Sequence, residues 1–93
     1  MGLLGWLIFG ALVGAVVYEA YVSYIDKKSA IEAAKNVMSS DEFAKTLKAK
    51  VIEKSSSAVK LSMLDSSANT VCEVKISGEN VSSEIHCSDI IYV

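Results

Sequence analysis

The sequence predicts an α+β fold: a single N-terminal transmembrane helix continuing into an amphipathic stalk helix, a second short helix, then a three-stranded antiparallel β-meander. Three observations predict it. The run from Leu3 to Tyr18 carries no charge. Apolar residues then recur at helical spacing as far as about residue 54, and from Ala58 their period changes to two. The chain has 93 residues, enough for one small domain. Setting the apolar leader aside leaves roughly 65–70 of them, a size at which a core needs a staple, a partner or an attachment. The expected division is an anchor over 1–25 and a small α+β domain over 26–93.

The anchor comes first. A membrane span needs about 20 apolar residues, and the leader reaches that length when extended through Glu19 to Ile25. Tyr18, Tyr21 and Tyr24 at one end and Trp6 at the other suit the two water interfaces. Glu19 then falls near the surface, where a charge costs less than at the centre. Gly10 and Gly14 form a GxxxG, and Ala11 and Ala15 repeat the spacing beside it. Such a stripe lets helix backbones approach closely, so these four residues are the expected helix-packing surface. The alternative is a signal peptide cleaved near Ala15, since Val13-Gly14-Ala15 satisfies the small-residue rule. No Lys or Arg precedes the apolar run, which counts against it.

Next come two helices. Ala30, Ile31, Ala34, Val37 and Met38 share one helical face, which predicts a helix over about 26–38. Nothing between Ile25 and Ala30 reads as a stop, so the membrane helix is expected to run on as a stalk. Ser39 and Glu42 have capping-box spacing. They open a second helix over about 41–54, with Phe43, Leu47, Val51 and Ile52 on its apolar side.

The strands follow, over about 58–65, 70–77 and 81–92. Val59, Leu61 and Met63 alternate with Lys60 and Ser62, and Cys72, Val74 and Ile76 alternate with Glu73 and Lys75. A loop over Gly78 to Val81 would set Val74 opposite Ile85 and Cys72 opposite Cys87, making a disulfide possible. A two-residue turn at Gly78-Glu79 would instead set Cys72 opposite Ile85. The bridge would close a loop of about 15 residues, worth roughly 3 kcal/mol in the chain-entropy model. Orientation signals conflict. Lys27, Lys28 and Lys35 after the span favour a cytoplasmic C-terminal domain, whereas a bonded Cys pair favours an extracytoplasmic one, the location expected here.

Chemistry is sparse. His86 is the only histidine, and as a strand neighbour of Cys87 it should face the opposite way, which defeats a Cys/His dyad. Two Cys and one His lack zinc-site spacing, and the carboxylates are scattered over turns and outer faces. No catalytic, cofactor-binding or metal-binding residue is singled out. All nine basic residues are Lys and none is Arg, which argues against nucleic acid as a partner.

An apolar N-terminal helix, an amphipathic spine and an antiparallel sheet with two late cysteines together resemble a type IV pilin or pseudopilin. Gly14 followed five residues later by Glu19 is similar to the pilin processing site. The family carries its long apolar run after the cleavage point, whereas here most of it precedes Gly14. The resemblance implies a structural subunit. The residues themselves lead to a non-enzymatic, single-pass accessory or interaction subunit of a larger membrane-associated assembly. Its expected partners are membrane lipid and a protein, or a second copy, met through the transmembrane helix. A small secreted or periplasmic binding domain, released near Ala15, is the alternative.

Overall fold

Strand formers open the described chain. The computed structural model describes residues 17–93. Its first element is β1 (Val17–Tyr21), whose β-branched and aromatic side chains suit a pleated surface. A two-residue strand β2 (Tyr24–Ile25), helix α1 (Lys27–Val37) and helix α2 (Ser40–Lys45) follow. Five strands complete it: β3 (Lys48–Lys54), β4 (Ala58–Leu64), β5 (Thr70–Ser77), β6 (Asn80–Val81) and β7 (Ile90–Tyr92). The main sheet is mixed and has the order β1-β5-β4-β3-β7, with β2 and β6 forming a small parallel pair. β1 runs parallel to β5, and the other pairings of the main sheet are antiparallel.

Period two sets the core. Val59, Leu61 and Met63 of β4 register with Ile76, Val74 and Cys72 of β5, while Ala49 and Val51 bring β3 onto the same face. Against that face lie Ala30, Ala33, Ala34 and Met38 from α1 and its C-cap. Alanine at the contact lets the helix axis approach the sheet. Each fully buried Leu, Val, Ile or Met contributes roughly 1.5–3 kcal/mol through its removal from water.

On the opposite face of the sheet the alternation places Lys60, Ser62 and Glu73. All three are nonetheless buried, at 2%, 7% and 4% exposure. Lys60 Nζ lies 3.1 Å from Glu73 Oε1. The Ser62 and Thr70 hydroxyls are 3.1 Å apart.

Several expectations are corrected. Val17–Tyr21 and Tyr24–Ile25, counted within the exit of a membrane helix, are strands, and among the described residues no helix is long and apolar enough to cross a membrane. The fold is not a transmembrane helix, a stalk and a three-stranded meander but a mostly β, five-stranded mixed sheet with two short helices. The tyrosines read as an interfacial belt alternate instead: Tyr18, Ala20 and Val22 pack on the core while Glu19 and Tyr21 are exposed. The single-pass membrane location, with its external C-terminal domain, is overturned with that helix. The helix-packing residues Gly10, Ala11, Gly14 and Ala15, and the cleavage site near Ala15, lie outside the described residues.

Nor does a stalk run through Ile25. Asp26 starts α1 afresh, its carboxylate accepting from Ser29 N–H at 2.7 Å while Ser29 Oγ accepts from Asp26 N–H at 2.9 Å, a reciprocal cap. Ser39 and Glu42 make the box that their spacing predicts, but α2 ends at Lys45 and not near residue 54. Lys48-Ala49-Lys50-Val51 also alternates with period two. Its place between β4 and β7 decides for strand, burying Ala49 and Val51 completely.

The third meander strand is absent for a topological reason. β4 occupies one edge of β5 and β1 the other, so the chain after Gly78 has no edge of β5 left to pair with. It makes two residues of β6 on β2, crosses a loop anchored by the buried Ile85, and re-enters as β7 beside β3. The expected register of Cys72 with Cys87 therefore never forms. Cys72 faces Met63 in the core, Cys87 is exposed in the loop, and both are free thiols. The external orientation rested on that bond.

Candidate strand-docking edge

The segment Val17-Tyr18-Glu19-Ala20-Tyr21-Val22 combines strand propensity with a free edge. Val22 N–H donates to the Ser77 carbonyl at 2.8 Å. This bond fixes the parity of the parallel pairing. Tyr18, Ala20 and Val22 turn their backbone groups toward β5, so Glu19 and Tyr21 turn theirs outward. No described strand pairs with that outer edge. Further along, Ser23 C=O accepts from Glu79 and Asn80 N–H, and Ile25 C=O accepts from Ser82 N–H. Among the described residues, the backbone-to-backbone bonds of Val17 to Ile25 named here all run to one side.

Proteins guard such edges with lysine, proline, bulges or extreme shortness. β7, the other edge of the main sheet, is three residues long. β1 has five, with no Lys, no Pro and an unbroken register from Val17 to Tyr21. Among the described residues it is the longer and less guarded of the two edges.

Helix α1 forms a wall beside it. Between the two lies a groove of about 450 Å³. Its apolar lining comes from Ala20 and Val22 on the strand and Ala33 and Val37 on the helix, with Ser29 and Asn36 as polar points. Glu19 and Glu32 also line it, and no basic residue does. The wall is held rigidly at its start, where Ser29 Oγ also donates to the Tyr24 carbonyl at 3.0 Å.

Tyr18 ties the strand to α2. Its hydroxyl donates to Glu42 Oε1 at 2.7 Å, and the same oxygen accepts from Ser39 N–H at 3.1 Å. The Tyr18 hydrogen bond, with that from the Ser39 backbone, holds the Glu42 carboxyl below its ordinary value of 4.5. The bond to Glu42, with desolvation and the carboxylate's charge, holds the Tyr18 phenol above its ordinary 10.0. A lowered acid contributes stability that is lost as pH falls through its folded pKa, and a raised phenol contributes stability that is lost as pH rises through its own. The tie is therefore intact between the two ordinary values and weakens outside them.

The His86 side chain is 71% exposed, with Nδ1 3.6 Å from Asp89 Oδ2. Cys72 is pushed up to about 12, first by burial and then by the negative charges of Glu42 and Glu73, so it stays a thiol at neutral pH. Among the described residues no cluster of His, Cys, Asp and Glu could hold a metal ion. In the native protein one thiol, Cys87, should react promptly with Ellman's reagent and the second only after unfolding. No reactive thiol before reduction would instead reveal a disulfide.

Of the site residues predicted from sequence, Cys72 and Cys87 are not brought together, and the small-residue stripe lies outside the described residues. The edge itself was missed. Its signal was present in the period-two placement of Tyr18, Ala20 and Val22, read instead as the end of an apolar helix. No family model, curated protein or solved structure matches the chain.

Proposed function

We propose that this protein is a non-enzymatic interaction module that takes an extended segment of a protein partner as an added strand on β1. The observation that carries this reading is the outward-facing backbone of Glu19 and Tyr21 beside an apolar-lined groove walled by α1. In strand addition, main-chain hydrogen bonds supply affinity and pockets for alternate side chains supply specificity. The incoming strand would bond to Glu19 and Tyr21 and drop alternate side chains between β1 and α1. Nothing in this reading asks for a cofactor or a reacting group.

Titrating a neutral threonine–valine heptapeptide into the full-length protein tests it. The expected result is saturable shifts and slowed hydrogen exchange at the Glu19 and Tyr21 amides. Glu19→Pro removes an N–H that points away from β5, so the sheet keeps its bonds and the edge loses a donor. Binding should weaken at least about tenfold, the loss of one interstrand bond with its geometry, while cooperative unfolding persists. Shifts confined to other surfaces, or equal binding by the proline variant, would remove the reading.

A further inference from the structure

We infer that the strand accepted by β1 alternates basic and apolar residues. This rests on the docking reading above and names its partner's chemistry.

The parity of β1 assigns each side of the incoming strand. Residues pointing to the helix side meet Ala20, Val22, Ala33 and Val37 and must be apolar. Those pointing the other way lie beside the outward row of Glu19 and Tyr21. The Tyr21 hydroxyl is itself in contact with a carboxylate, Glu79 Oε2, at 3.5 Å. Glu19 and Tyr21 are both exposed, so their row is available to a neighbour. Glu32 adds a third carboxylate on the helix rim.

On this side Lys75 registers with Glu19 across the β1–β5 pair. It stands against one of three carboxylates, and on the side of Glu19 away from the incoming strand. The groove lining thus carries two carboxylates, Glu19 and Glu32, and no cation among the described residues. Opposite charges directly across a strand pair are favourable and like charges unfavourable. A lysine or arginine opposite Glu19, flanked by apolar residues, satisfies both faces at once. A second copy of this chain does so poorly. Two β1 strands paired antiparallel about Glu19 would set carboxylate against carboxylate, and β1 contains no basic residue.

Three heptapeptides separate the outcomes, alternating valine with lysine, threonine or glutamate. Each is titrated into the full-length protein at low salt while the Glu19 and Tyr21 amides are followed. The lysine peptide should bind about tenfold more tightly than the glutamate peptide, with threonine between them. That gap should shrink in raised salt, because exposed charges are screened. It should also shrink in the Glu19→Gln/Glu79→Gln variant. Equal affinities, or a preference for glutamate, would overturn the basic partner and leave strand addition standing. Failure of all three peptides at these amides would overturn strand addition itself. Concentration-dependent dimerisation that the lysine peptide competes away would name a second copy as the occupant and overturn the inference.

Discussion

Lys60→Met will destabilise the protein by roughly 3–5 kcal/mol, measured by urea unfolding at neutral pH, because it strands the buried Glu73 carboxylate without its cation. Lys60 Nζ and Glu73 Oε1 are 3.1 Å apart, and both side chains are nearly inaccessible to water. The two belong to neighbouring strands, with Lys60 registering against Lys75 and Glu73 against Ser62, so the pair is diagonal. Its attraction is strong because the surroundings are dry, and for the same reason a lone charge there is costly. The control is the double replacement Lys60→Met/Glu73→Leu. It removes both charges and should recover most of the loss, as apolar substitutes of similar volume do for other buried pairs. A single variant as stable as the parent would show that water reaches the Glu73 carboxylate, contrary to the burial described above.

The second large effect is expected at Gly78→Ala. A Cβ at this position would collide with the carbonyl oxygen of Val22 and press on the Ile25 side chain at 3.2 Å. Gly78 also donates its N–H to the Ser57 carbonyl at 2.8 Å, so it is pinned from the other side and cannot simply move away. Since the clash is with backbone, no rotamer change relieves it. The variant should lose roughly 3 kcal/mol, the upper range for overpacking. Its amide shifts should concentrate at Val22, Ser23 and Ile25, where β1 passes into β2. Stability within about 0.5 kcal/mol of the parent, the range of neutral surface changes, would mean that the two segments pass with more clearance than this geometry allows.

The legible parts of the fold are those where local pattern and tertiary demand agree. Val59, Leu61 and Met63 announce β4, and Cys72, Val74 and Ile76 announce β5, because both strands have one core face and their alternation is clean. Ser39 and Glu42 announce a helix start through chemistry confined to four residues. The failures occur where two periods coexist. Phe43, Leu47, Val51 and Ile52 fit a helical stripe, yet Ala49 and Val51 also fit a strand, and only a place between β4 and β7 decides. Val17 to Ile25 fails for a related reason: apolar and aromatic residues run on from the leader, and hydrophobicity alone cannot separate the end of a span from a half-buried strand. The Cys72–Cys87 pairing failed because it assumed that neighbours in sequence are neighbours in the sheet. Which edge of β5 is vacant depends on a strand more than fifty residues upstream, and no local pattern carries that information.

That upstream strand has a consequence for the order of events in the cell. β1 leaves the ribosome before any other described element, yet its only partner in the sheet, β5, is among the last. Until then β1 has no partner among the described strands, and closing the long loop between the two carries an entropic cost that grows with its length. The groove between β1 and α1 therefore takes shape only after β5 has been synthesised.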